Sequence, residues 1–257
     1  MKKIPISACI ITYNEEGNIR ECLESVKWTD EIVVVDSYST DNTVEIAQEY
    51  TDNVTQISWP GHVAQKNNTL EYATNEWVLS LDADERISPE LKEEIQAELQ
   101  KSTLRWDGFF MPRLTFYLER WIRHGGWYPD LRLRLFKKSK SRWGGQDPHD
   151  KVILDGKAKK LKNPIYHYNY RDLSHQIATI ESYSGIGSSE LFKAGRAFRI
   201  SDLLLRPPLR FLRDFFLKQG VRDGLPGLII AVNTSFYVFT KYAKLWELHK
   251  KRSKGKP

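Results

Sequence analysis

Cysteine is almost missing from this 257-residue chain: Cys9 and Cys22 are the two, set in a predicted strand and a predicted helix with no CxxC spacing. Their scarcity argues against a disulfide framework and fits a reducing compartment. Long apolar runs are missing too. No stretch reaches the roughly 18 apolar residues of a membrane-spanning helix, and the nearest, residues 225–240, is interrupted by Pro226, Asn233 and Ser235. The opening MKKIPISACIITYNEE reaches polar Thr12-Tyr13-Asn14 without a cleavage-like site, so it reads as a first strand rather than a signal peptide. No GxGxxG follows that strand, which excludes the dinucleotide fingerprint. Gly185-Ile186-Gly187 follows no strand and lies inside a helical stretch. There is no internal repeat.

What the chain does have is segregated charge. Residues 1–100 carry 7 Lys+Arg against 20 Asp+Glu, residues 101–190 carry 17 against 9, and residues 191–257 carry 15 against 4, within a formal total of +6. An acidic N-terminal lobe suits a metal site. A basic tail suits phosphate-rich partners, nucleic acid or anionic lipid.

Strands and helices alternate through the first hundred residues. Apolar runs at 6–12, 31–36, 54–57 and 77–81 predict buried strands. Between and after them, 16–27, 43–50, 62–73 and 89–99 predict helices, the last with Ser88 as N-cap. That order predicts a mostly parallel α/β sheet with right-handed crossovers. Longer strands are expected at 108–118 and 131–137, amid Trp121, Trp127 and Trp143. After Tyr170 the pattern is helical, in about three segments broken near Pro207-Pro208 and Gly224–Gly227. The expected division is 1–170 as a catalytic domain, with halves at 1–100 and 101–170, and 171–257 as a basic helical extension.

Ligands of open parallel sheets bind outside the carboxyl ends of the strands. Three polar clusters fall there: Thr12–Glu16, Asp36–Ser39 and Asp82-Ala83-Asp84-Glu85. Two carboxylates one residue apart, Asp82 and Asp84, at the end of an apolar strand suit a hard divalent ion that also grips phosphate oxygens. The plainer alternative is an acidic strand-to-helix turn. Arg132 and Arg134 alternate with leucines and share one strand face; they clamp a diphosphate if that face lines the cleft and are ordinary edge charges if it meets solvent.

Taken together, Ile10–Glu15, Glu31–Thr43, Gln65-Lys66-Asn67 and Leu81–Glu85 resemble, in order, the nucleotide-binding half of family 2 inverting glycosyltransferases of the GT-A fold. Farther on, Pro129–Lys137, Asp147-Pro148-His149-Asp150 and Tyr166-His167-Tyr168 are similar to the subgroup of lipopolysaccharide core β-glucosyltransferases. The resemblance implies a UDP-sugar donor, Mg²⁺ or Mn²⁺, and a glycan or lipid-linked acceptor. It places Thr12, Tyr13 and Glu15 at the uridine, Asp36 at the uracil or ribose, and Lys66 near the pyrophosphate or base. Asp82 then meets ribose or metal, and Asp84 ligates the metal. An inverting transfer needs a base for the acceptor hydroxyl. Asp150 is the first candidate, ahead of Asp147 and Asp130. The subgroup usually has His-Glu where this chain has His149-Asp150, a shorter arm. His149 completes the metal shell or packs on Trp143, and His167 reads as structural.

In the tail, Arg206, Arg210 and Arg213 recur at helical spacing beside Leu209, Phe211, Leu212, Phe215 and Phe216. That arrangement suits an interfacial helix on an anionic membrane, hence a cytoplasmic protein peripheral on the inner face of the membrane. The alternative is a helical subdomain packed on the sheet or on a second subunit. No nucleic-acid motif accompanies the basic residues, so nucleic acid is set aside. Two other function classes remain open: a sugar-phosphate nucleotidyltransferase, which lacks its Gly-rich basic loop here, and a nucleotide-binding scaffold without turnover.

Overall fold

The computed structural model describes residues 4–146, 149–253 and 255, without the side chains of Gln146 and His149. The chain forms two compact units, Met1–Leu114 with Asp130–Tyr168, and Thr115–Pro129 with Asn169–Pro257. Residues 115–129 thus group with the C-terminal helices.

The first unit opens with β1 (Ile6–Thr12), α1 (Ile19–Val26), β2 (Glu31–Asp36), α2 (Thr43–Gln48), β3 (Val54–Gln56), α3 (His62–Tyr72) and β4 (Trp77–Asp82). It continues with β5 (Glu85–Ile87), α4 (Pro89–Leu99) and β6 (Gly108–Tyr117), whose last three residues fall in the second unit, where they pair with β7 (Arg120–Ile122). Then come β8 (Asp130–Lys137), β9 (Ser141–Gln146), β10 (His149–Leu154), β11 (Ala158–Lys160) and β12 (Ile165–His167). The described residues form a ten-stranded sheet in the order β3-β2-β1-β4-β8-β6-β12-β5, with β7 and β11 both on β6, and β9–β10 form a separate hairpin. As expected from the alternating pattern, β1 through β4 pair in parallel. The sheet turns antiparallel at β4–β8 and β8–β6.

Every residue of β1 is buried, because both faces are covered. Ile10, Val34, Leu79 and Leu81 pack with Ile19, Leu23, Leu91 and Ile95 on one face. Cys9, Val33, Val35 and Val78 pack with Leu70, Phe136 and Trp143 on the other. Neighbouring residues of one strand thus serve opposite layers, which is the period-two geometry of the pleat. Burial pushes the Cys9 thiol up to about 12, so it acts as a small apolar residue. Ser88 caps α4 by accepting from Leu91 N at 3.2 Å.

The second unit holds α5 (Leu173–Lys193), α6 (Ile200–Leu204), α7 (Arg206–Leu212) and α8 (Gly224–Ser253), with a π-helical turn at Arg213–Leu217. The stretch 202–218 is divided among α6, α7 and the π-helical turn. Pro207-Pro208 falls in the first turn of α7, as the sequence suggests, where the missing N–H costs nothing. Gly224, at φ +64, opens α8 rather than interrupting it. Gly227 is required by space: a Cβ there would lie 1.9 Å from the carbonyl oxygen of Gly220. Leu191, Phe192 and Leu203 pack against Val238, Tyr242 and Leu245 of α8. Among the described residues no helix is long and apolar enough to cross a membrane. The basic flank expected at Arg206, Arg210 and Arg213 is partly neutralised, for Arg206 pairs with buried Asp202 and the other two share buried Asp214.

Candidate active site

The parallel register sets the site. Thr12 lies opposite Asp36 on β2, and Ile11 lies opposite Asp82 on β4, so all three polar clusters reach one sheet edge. The Thr12 hydroxyl is buried without a hydrogen-bond partner among the described residues. A buried hydroxyl left so is costly unless a ligand or water completes it.

The loops after β1 and β2 are knitted together. Asn14, in the left-handed region at φ 52, accepts from Thr40 N at 2.8 Å, while its own N–H donates to Ser39 Oγ at 2.8 Å. Asparagine tolerates that backbone because its short side chain bonds locally. The Glu15 N–H donates to Thr43 Oγ1 at 2.8 Å, and the Glu15 carboxylate accepts from Asn18 at 2.8 Å. Tyr13 is 56% exposed above this loop pair. Asp36 is fully buried and accepts from Ser39 N at 2.8 Å, Gln56 Nε2 at 2.9 Å and the Ser39 hydroxyl. Its carboxylate is engaged within the protein.

Lys66 comes from the buried face of α3, beside Gln65, Thr69 and Leu70 at helical spacing. Its Nζ lies 2.8 Å from Asp82 Oδ1 and 2.9 Å from Asp150 Oδ2, and 4.6 Å from the Trp143 ring centroid. Asp82 has a second cation, Arg134 Nη2 at 2.6 Å, which also lies 2.7 Å from Glu85 Oε1. Burial works against ionising Asp82. Arg134 and then Lys66 outweigh it and hold the carboxyl well below the usual range. The two arginines of β8 share a face by spacing but not an environment: Arg134 is buried in this cluster, whereas Arg132 is exposed and pairs with Asp130 at 3.1 Å.

Arg113 of β6 had no role in the sequence reading and joins the same network, 3.2 Å from Glu85 and 2.7 Å from Asp130. A lone arginine inside a ten-residue apolar strand was its signal, since a half-covered charge needs a partner. Lys66, Arg113, Arg132 and Arg134 thereby balance Asp82, Glu85, Asp130 and Asp150.

Asp84 stands apart. Its side chain is 21% exposed, and among the described residues its ion-pair partner is the imidazole of His167, Nε2 to Oδ2 3.3 Å. His167, read from sequence as structural, is the histidine that lies beside Asp84. Burial opposes ionisation of Asp84 too, yet His167 leaves the carboxyl below its ordinary value. Of the remaining candidates, Asp147 and the His149 side chain lie outside the described residues.

Among the described residues no three His, Cys, Asp or Glu side chains converge as a ready cation cage. A divalent ion that takes one or two carboxylates and completes its shell with phosphate oxygens and water does not need one. Asp84, ionised and partly open, fits that use. Asp82, gripped by two cations, fits a hydrogen-bonding or orienting role better than ligation.

Residues 7–153 match the family described as glycosyl transferase family 2. The lipopolysaccharide core biosynthesis glycosyltransferase LpsC of Rhizobium meliloti is 31% identical over 96% of this chain and 94% of its own. An uncharacterized glycosyltransferase of Rickettsia typhi is 32% identical over 96% of this chain and 88% of its own. Among solved structures, the mannosyltransferase PcManGT from Pyrobaculum calidifontis, in complex with GDP-Man and Mn²⁺, aligns with a TM-score of 0.57 at 15% identity, covering 96% of this chain and 88% of that one. S. aureus TarS in complex with UDP-GlcNAc aligns at 0.52 and 16% identity, covering 98% and 93%. These two likenesses concern the fold.

Proposed function

The chain belongs to glycosyl transferase family 2, with the GT-A-type α/β fold of its structural neighbours, and on that premise we propose that it transfers a hexose from a UDP-sugar, with inversion, to a lipid-linked glycan. Residues 1–100 form the nucleotide-binding half in this reading and 101–170 the acceptor half. The relation to a lipopolysaccharide core biosynthesis enzyme supports an acceptor of the inner-core type, met on the cytoplasmic face of the membrane.

One observation carries the proposal: Lys66 bridges Asp82, at the nucleotide edge, and Asp150, on the hairpin that follows β8. Donor-side and acceptor-side carboxylates are thus held in one cluster. Thr12, Tyr13 and Glu15 receive the uridine, and Asp36 shapes the turn that borders it. Asp84 holds the metal, with His167 orienting its carboxylate. When bound, Mg²⁺ or Mn²⁺ supplies positive charge to the departing diphosphate. Asp150 takes the proton from the acceptor hydroxyl as that oxygen bonds to the anomeric carbon and the bond to the diphosphate breaks. Lys66 fixes the Asp150 carboxylate in position for this step.

Calorimetric titration with UDP, with Mn²⁺ and then with EDTA, tests the donor site. Metal-dependent binding is expected, and no binding under either condition sinks the proposal. For the base, Asp150→Asn should bind UDP as the parent does yet transfer no sugar; a lost donor affinity would mean that Asp150 has another role.

A further inference from the structure

Resting on the reading of a lipid-linked acceptor, we infer that the second unit seats on the membrane through an apolar ridge, with its basic residues orienting it rather than holding it. Leu204, Leu205, Leu209, Leu212, Phe216 and Leu217 recur mainly at spacings of three and four through α6, α7 and the π turn. Such spacing puts side chains on one face. All six are exposed, Leu217 to 80%, Leu204 to 62% and Leu209 to 61%. Scattered exposed leucines are ordinary, whereas a run of this density marks an interaction surface. Phe211 and Phe215, stacked with ring centroids 5.4 Å apart, sit among these leucines, and Phe216 meets both edge-on.

The charges around the ridge identify what covers it. Residues 196–223 carry seven Lys+Arg against three Asp, a formal net of +4. All three aspartates are buried. Asp202 takes Arg196 and Arg206 at 3.1 and 2.6 Å, Asp214 takes Arg210 and Arg213, and Asp223 takes His124 at 3.0 Å. Acid therefore points inward and the exposed charge has one sign, with Arg199, Lys218 and Arg222 open to solvent. A second copy on a twofold axis would bring this patch against itself, cation to cation. Anionic lipid carries the complementary sign. The same pairing weakens the purely electrostatic pull, so insertion of the leucines supplies most of the affinity.

The test is co-sedimentation of the full chain with vesicles of phosphatidylcholine, alone and with phosphatidylglycerol, at low and high salt. Binding to both is expected, a few-fold tighter on the anionic vesicles, and largely retained in salt. Leu209→Ser with Leu217→Ser should weaken it by at least about tenfold, while Arg199→Ser with Arg222→Ser costs only the few-fold anionic preference. Both leucines are exposed, so unfolding and the UDP titration should match the parent. Binding that salt abolishes and the leucine pair leaves unchanged overturns the inference. So does a parent that ignores both vesicles, or a leucine variant that turns a dimer into a monomer by light scattering. UDP binding that persists beside a vesicle failure leaves the transferase reading intact; lost UDP binding strikes that reading and not the ridge.

Discussion

The two units bury opposite things. The sheet unit covers its aliphatic side chains on both faces and then draws charge inward at one edge, where Lys66, Arg134 and Glu85 are all buried. The helical unit buries Asp202, Asp214 and Asp223 and leaves leucines in water. A buried ion pair is weak evidence for stability, because desolvation cancels much of the attraction. Its value in the sheet unit is position: cations tie β4, β8, α3 and the β9–β10 hairpin into one arrangement. In the helical unit the pairs are half exposed on the arginine side, and what they achieve is to quiet the charge along an apolar face.

The largest break in that contrast should come from Arg134→Met. It removes the buried cation that Asp82 and Glu85 share, leaving them only Lys66 and Arg113, and thermal unfolding should show a loss of about 3 kcal/mol, together with lost transfer. The same cluster sets the acid side. Asp82 and Asp84 have folded values below their unfolded ones, so their contribution is present above about pH 4 and is lost as pH falls through the folded values. Denaturation followed against pH should show that loss in the parent and a shallower one in Arg134→Met.

Asp84→Asn sharpens the comparison from within the site. With no lysine or arginine left unpaired, kcat should fall by about 10²-fold or more and metal-dependent UDP binding should vanish, while the unfolding midpoint barely moves. An unaltered turnover would remove Asp84 from the metal site. In the helical unit, Gly227→Ala forces a methyl against Gly220 and should cost about 1–3 kcal/mol, read in denaturant titration, without touching UDP affinity. Least of all, Arg213→Ala leaves Asp214 its second partner, Arg210, and should change stability by about 0–1 kcal/mol.

The alternation of short apolar runs with amphipathic helices determined β1 through β4, the helices between them and the edge at which Thr12, Asp36 and Asp82 meet. Those features follow from local periodicity, and a parallel βαβ order admits few topologies. The Asp82-Ala83-Asp84 spacing made Asp84 a candidate, and the family resemblance did the same for Lys66 and Asp150. What tertiary structure alone decided is which charges find each other. Arg113 and Glu85 are close in space though separated by α4 in sequence, and Arg134 and Arg132 diverge in role because the first faces Asp82 and the second solvent. His167 gained its place when β12 paired with β5 and brought it beside Asp84. The tail teaches the same lesson. Helical spacing in the sequence already sets Asp202 four residues from Arg206 and Arg210 four from Asp214; only the folded unit buried both aspartates, and a carboxylate leaving water must take a cation with it.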